Sequence, residues 1–162
     1  MALGLSDLAA RLEISKTSAN VAVNALAYDG FLKIDVIGRV WRISCNQDHF
    51  YNFSRKISYN LIAVYESGIL AAVHAKIPNP KAVILFGSYR KGDDTDKSDI
   101  DIAVEVLGDV EVDVIELGEI NVGFRENVPV NLHIFSRKSV DINLFANIAN
   151  GILLEGFLEV RP

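Results

Sequence analysis

Apolar positions near the start of the chain recur at helical spacing and then switch to alternation. Leu8 and Leu12 share one helical face, with Ser6 placed to cap that helix and Glu13-Ile14 to turn the chain. Ser15 or Thr17 caps a second helix reaching about Tyr28. Its apolar face is Ala19, Ala22, Val23 and Leu26, and Gly30 stops it. Residues 31–36 and 39–43 then alternate about Ile37-Gly38, which predicts a hairpin. From 47 to 76 there is no proline. Phe50, Phe53 and Ile57, then Leu61, Tyr65, Ile69, Ala72 and Lys76, return to helical spacing as one long helix or two consecutive ones, ended by Pro78 and Pro80.

The second half opens on an unbroken apolar run, residues 81–86, which predicts a buried strand. Gly87-Ser88 and Tyr89-Arg90-Lys91-Gly92 follow, then a polar loop over 93–98. Residues 99–105 alternate as a second strand. The stretch 112–127 is expected to be mostly helical, 128–135 to be a third core strand, 140–150 a helix and 152–155 a short final strand.

Composition adds a boundary. The chain has 162 residues and a formal net charge of −5, so no chain-wide basic field favours nucleic acid. Residues 1–45 are nearly neutral and the remainder carries the negative charge, which places a composition change near Cys45. As the single cysteine, Cys45 cannot form an internal disulfide and is expected to be a buried, reduced thiol. His49, His74 and His133 are too scattered to form a local metal clip. Asp7, Arg11 and Glu13 break any signal-like apolar run. The longest apolar stretch, 61–75, contains Glu66, Ser67 and His74 and is too short for a bilayer, so a cytoplasmic protein without membrane contact is expected.

The chemistry concentrates between 81 and 105. A glycine at a strand end lets the backbone approach a bulky anion, and the Ser88 hydroxyl can join neighbouring amides in donating to phosphate. Arg90 can pair with phosphate as a fork. Asp99 and Asp101 are two apart on a strand and share a face. Two like charges side by side call for a cation, and Mg²⁺, which favours oxygen and substrate phosphates, is the natural one; two such ions can align an attacking oxygen and a pyrophosphate leaving group.

Gly87-Ser88, ten residues, then Asp99-Ile100-Asp101 resembles the signature of the DNA polymerase beta-like nucleotidyltransferase superfamily, and 85–101 as a whole looks like its minimal nucleotidyltransferase branch. The resemblance extends more weakly to about residue 135. It implies a nucleoside triphosphate held by Gly87, Ser88 and Arg90, with Asp99 and Asp101 as metal ligands and catalytic carboxylates. It also implies a third carboxylate on a later strand. That position falls on Asn131, a neutral residue, with His133 two residues on and facing the same way. His133 can serve as a base near neutral pH or simply pack on its strand.

The first part, with Leu8-Ala9-Ala10-Arg11-Leu12, Ser15-Lys16-Thr17-Ser18 and Asp29-Gly30-Phe31-Leu32, resembles winged helix-turn-helix regulators. That resemblance implies a second helix in the major groove of double-stranded DNA. Lys16, Thr17, Asn20, Val21, Asn24 and Tyr28 form its outward stripe, and Arg39 and Arg42 are the wing cations. The usual preceding helix is not seen before Ser6; either it is missing or the stretch from about Gln47 supplies its apolar face. The same module also suits dimerisation or protein docking.

The expected architecture is therefore α/β (α+β): a winged helix-turn-helix over 1–45, a helical connector over 46–79 and a small mixed-sheet nucleotidyltransferase fold over 80–162. The connector is a candidate homodimer surface. Two functions fit. One is an enzyme transferring a nucleoside monophosphate to a protein or small-molecule hydroxyl. The other is a catalytically degenerate DNA-bound regulator or antitoxin that senses a nucleotide or carries a protein partner such as a toxin. A scaffold without either activity leaves Gly87-Ser88, Asp99 and Asp101 unexplained.

Overall fold

The computed structural model describes residues 2–160, which form two compact units divided between Ser54 and Arg55. In the first, α1 (Leu5–Arg11) and α2 (Lys16–Tyr28) precede a hairpin of β1 (Leu32–Ile37) and β2 (Val40–Cys45). Ser15 caps α2 by accepting the Ser18 N–H at 3.0 Å. Ser6 does not cap α1: Gly4 holds that position without a side-chain bond, and Ser6 lies inside the helix. The hairpin turns at Gly38-Arg39, one residue later than expected, because Ile37 pairs with Val40. Leu3 bridges Ile43 through two 2.9 Å backbone bonds, adding a short third edge. Ala9, Ala19, Val23 and Ile43 are buried here, and Cys45 is half-buried.

The helix expected from residue 47 does not begin there. Phe50–Phe53 makes only a 3₁₀ turn, and Phe50 and Phe53 are exposed rather than on an apolar face. Local side-chain bonds win over helix: the Tyr51 N–H donates to His49 Nδ1, and buried Asn52 reaches the carbonyls of Asn46, Gln47 and His49.

In the second unit α3 (Arg55–Glu66) and α4 (Ile69–Lys76) are two consecutive helices broken at Ser67-Gly68. A five-stranded mixed sheet follows, formed by β3 (Ala82–Phe86), β4 (Ile100–Glu105), β5 (Asp113–Val122), β6 (Arg125–Phe135) and β7 (Ile152–Gly156), in the order β5-β6-β4-β3-β7. Only β4 and β6 run parallel. The short α5 (Gly87–Lys91) follows β3, and α6 (Ile142–Ala149), capped by Asp141, precedes β7.

The centre of the sheet, β3 and β4, is covered on both faces. Ala63, Val64, Ile69 and Val73 of α3 and α4, with Tyr89 of α5, pack on Val83, Leu85, Ile100, Ile102 and Val104. On the opposite face Ile148, Leu144 and Phe145 of α6 pack on Ala82, Ile84, Phe86, Ala103 and Phe135. All five β3 residues are buried, which explains the continuous apolar run.

Residues 112–127, expected to be mostly helical, form β5 and a turn into β6. Ile115 and Leu117 face the core, but so do Ile120 and Val122. The register shifts between Glu116 and Gly118 and again between Ile120 and Val122. Gly118, at φ +112°, takes a conformation closed to helix and moves the inward set from odd to even positions. That change of parity erases the clean alternation and leaves Val114, Leu117 and Ile120 at a spacing of three, which imitates a helix.

Candidate nucleotide site

Alternation on β4 sends Ile100, Ile102 and Val104 to the α3–α4 face and leaves Asp101 on the other, with Asp99 just before the strand. The parallel register sets Asp101 beside Asn131 and Ala103 beside His133. Asn131 Nδ2 donates to Asp99 Oδ2 at 2.7 Å, and His133 Nε2 lies 3.1 Å from Asp101 Oδ1. The His133 ring packs edge-on against Phe86 at 4.8 Å. Asn131, at the expected acidic position, and His133, two residues on, therefore hold the two carboxylates directly.

The turn after β3 closes the other side. Gly87 has φ +72°, and a Cβ built there would stand 2.5 Å from Asp101 Oδ2. Any side chain meets both a strained backbone and a carboxylate. Gly87 thus brings its main chain against Asp101, and Ser88 and Arg90 follow within α5. Arg90 Nε is buried with no hydrogen-bond partner among the described residues. The guanidinium is not committed to an internal ion pair there.

Several residues that hold the loop between turn and carboxylates escaped sequence reading. Lys56 of α3 donates to the Gly92 carbonyl at 2.9 Å and pairs with Asp94 at 3.1 Å. Buried Asn60 donates to the Tyr89 carbonyl at 2.9 Å and to Asp94 at 2.8 Å. Arg125 bonds the Ser98 carbonyl next to Asp99 and lies over the Tyr89 ring at 5.8 Å. Burial pushes the Tyr89 phenol above its ordinary value of 10.0, with Arg125 opposing the shift. The one available signal was Asn60, a polar residue on the buried face of an amphipathic helix; Lys56 and Arg125 reach the loop from far along the chain.

The donor set suits a divalent cation in part. No three His, Cys, Asp or Glu gather at ligating geometry among the described residues. Asn131 and His133 leave Asp99 Oδ1 and Asp101 Oδ2 without a hydrogen-bond partner among the described residues, and two carboxylates with substrate phosphates completing the shell is the way Mg²⁺ is commonly held. Among the described residues no helix is long and apolar enough to cross a membrane.

In the first unit a groove of about 450 Å³ is lined by Lys16, Asn20, Arg39, Val40 and Trp41 together with the start of α1. Thr17 and Asn24 lie outside it on α2, and Asn24 Nδ2 bonds both oxygens of Asn20. Arg42 stands opposite Asp35 in the hairpin. Val21 and Tyr28 are exposed.

No curated protein matches the chain. The model of the family described as polymerase beta, nucleotidyltransferase, matches residues 70–155, just over half of the chain. The match runs past residue 135, so α6 and β7 belong to the family's unit as well as the Gly-Ser turn and the carboxylate strand. With that turn, strand order and carboxylate pair on one sheet face, the chain belongs to the polymerase beta nucleotidyltransferase family.

Proposed function

We propose that the second unit binds a magnesium nucleoside triphosphate and transfers its nucleoside monophosphate to a hydroxyl of a protein or small molecule. Gly87, Ser88 and Arg90 hold the phosphates, and Asp99 and Asp101 hold the metal, which supplies charge neutralisation and alignment when bound. The acceptor oxygen attacks the α-phosphorus as the bond to the β-phosphate breaks, and pyrophosphate leaves. The observation that carries this reading is the apposition of Gly87 to Asp101: phosphate bound at the turn lies against the carboxylate pair. Asn131 orients Asp99 and His133 orients Asp101, each from a position that cannot supply a third acid. Transfer is therefore slow relative to binding. Radiolabelled-nucleotide transfer by the wild type and by the Asp99→Ala/Asp101→Ala variant tests the reading; equal labelling would sink it.

A second reading makes the transferase fold a nucleotide- or partner-binding module of a regulator. It is favoured by Asn131, a neutral residue at the third acidic position, and by the groove that gathers Lys16, Asn20 and Arg39 in the first unit. There the first unit acts as a winged helix on double-stranded DNA, with Thr17, Asn24 and Arg42 as further contacts. A toxin-like protein is the partner in an antitoxin role. Exposed Tyr59, Ile62 and Tyr65 on α3 suit a homodimer surface. Both readings place the protein in the cytoplasm with its nucleotide. Gel-shift titration against the DNA upstream of its own coding region, at low salt with magnesium nucleotide, decides between them: no shift removes the regulator. A monomer by light scattering at high concentration removes the dimer.

A further inference from the structure

Arg125 opens β6, directly after the two-residue turn Gly123-Phe124 that joins it to β5. The tip of this hairpin is tied to α3. Tyr59 Oη accepts the Phe124 N–H at 3.3 Å, and a Cβ at Gly123 would overlap that hydroxyl. Glycine is required there by the contact and by its φ of +58°. From the fixed tip the Arg125 guanidinium reaches the polar loop ahead of Asp99. Its Nη2 donates to the Ser98 carbonyl and, at 3.4 Å, to the Asp96 carbonyl. The loop also closes on itself, through the Ser98 N–H to the Thr95 carbonyl at 3.2 Å and the Thr95 N–H to Ser98 Oγ at 2.9 Å. Arg125 fastens this small turn to β6. Lys56 and Asn60 fasten the other end of the loop, at Gly92 and Asp94.

The Ser98 carbonyl belongs to the peptide that leads into Asp99. A peptide is planar, so holding that carbonyl also sets the Asp99 N–H direction and the place of its Cα. The carboxylate at the other end of the residue accepts from Asn131 Nδ2 at 2.7 Å. Arg125 and Asn131 stand on one strand, so β6 holds Asp99 by its main chain and by its side chain. The same guanidinium lies over the ring of Tyr89 at 5.8 Å, one residue past Ser88 in α5. One side chain therefore meets both the helix that begins at the Gly-Ser turn and the residue before the first carboxylate. Stability alone does not account for an arginine here. Its Nη1 is buried with no hydrogen-bond partner among the described residues, and an unused buried donor costs free energy.

We propose that Arg125 is a positioning residue of the metal site: through Ser98 it sets Asp99 against Asp101, and so determines how tightly the carboxylate pair takes a divalent cation. The inference rests on the metal reading of Asp99 and Asp101. The guanidinium is bonded to backbone carbonyls and acts at one remove from the metal. Groups that orient metal ligands in this way commonly govern metal affinity by about 10- to 100-fold.

The test uses the full-length protein with Mn²⁺ as the probe, because it takes the same oxygen ligands as Mg²⁺ and its paramagnetic resonance spectrum reports the bound ion. Affinity for inorganic tripolyphosphate is measured with Mn²⁺ and with a chelator, and the ratio gives the gain due to metal. Arg125→Met is expected to lose about tenfold or more of that gain and to alter the bound-Mn²⁺ spectrum, with metal-free tripolyphosphate affinity within about twofold of the wild type. Arg125→Lys still donates to one carbonyl and is expected to lose only about threefold, which also covers a methionine variant that fails to fold. Lys81→Met, which strips the cation from Glu105 farther along β4, controls for lost stability and is expected to keep the full gain. An unchanged gain in the Arg125 variants that fold overturns the positioning role and leaves the metal reading standing. So does an equal loss in Lys81→Met, or an equal fall in metal-free tripolyphosphate binding. A wild type whose binding gains nothing from Mn²⁺ overturns both.

Discussion

Asp101 and Glu105 lie four residues apart on one face of β4, and their surroundings differ in one respect. Glu105 is 1% exposed and carries its own cation, Lys81 Nζ at 3.0 Å. The Asp101 side chain is about a fifth exposed, and among the described residues it meets His133 and the bare backbone of Gly87. Asn131, on Asp99, is neutral. One end of the strand completes its charge balance inside the fold. The other leaves two carboxylates with no Lys or Arg partner among the described residues, where the proposed magnesium ion would bind. A buried carboxylate with an internal partner is part of the structure; a paired one at a glycine turn is a place for a ligand.

The largest effect that can break this comparison is at the closed end. Lys81→Met leaves Glu105 buried without its cation and is expected to cost about 3 kcal/mol, the lower part of the range for a broken buried pair because Lys81 is itself 27% exposed. Denaturant melts read this directly, while nucleotide affinity is expected to hold. If nucleotide binding fell and stability did not, the two ends of β4 would have to exchange roles.

Asp99→Ala/Asp101→Ala is the converse. Magnesium-nucleotide affinity is expected to drop at least about 100-fold in calorimetry. The melting temperature should move by no more than about 4 °C, since the pair's side-chain bonds are those to Asn131 and His133 and neither involves a Lys or Arg. A collapse of stability instead would make the pair structural.

Gly87→Ala sharpens the geometry. Strain at φ +72° together with the contact to Asp101 is expected to cost about 1–3 kcal/mol in thermal or denaturant melts. Nucleotide binding should weaken as the turn swings from the carboxylates. An alanine variant with full stability and affinity would show that the turn need not approach Asp101.

Asn131→Asp restores the acidic position on β6. Single-turnover transfer is expected to rise about tenfold, with binding nearly constant. No rise in rate would mean that the third carboxylate does not limit this chain.

The smallest effect concerns the wall beneath the turn. Burial raises the Tyr89 phenol, so in the folded state it keeps its proton to higher pH than in the unfolded chain. Its contribution is present below pH 10 and is lost as pH rises through the raised folded value. Denaturant titrations from pH 8 to 11 should show a steeper alkaline loss for the wild type than for Tyr89→Phe; parallel curves would remove Tyr89 from the alkaline transition.

How much of this was legible depends on which interactions are local. Alternation and unbroken apolar runs determined β3, β4 and the end of β6, and helical spacing determined α2, α4 and α6, because side-chain period follows from backbone geometry within a few residues. The Gly87-Ser88 turn and the Asp99–Asp101 pair were equally local: glycine, hydroxyl and carboxylates stand within fifteen residues of one another. The neutral residue at 131 was visible in the same way, as a departure from a family pattern.

Tertiary structure alone decided the rest. The bulge at Gly118 hid β5, because a change of parity reads as noise until the partner strand is present. Phe50 and Phe53 kept helical spacing yet left the helix, since Asn52 and His49 found nearer backbone partners. The bonds from Asn131 to Asp99 and from His133 to Asp101 exist only because β6 lies parallel to β4 in one register. The same holds for Lys56, Asn60 and Arg125 on the loop between Gly87 and Asp99. Sequence determines which chemistry is available and where the chain turns; which of those groups meet is settled by packing between segments whose separation leaves no periodic trace.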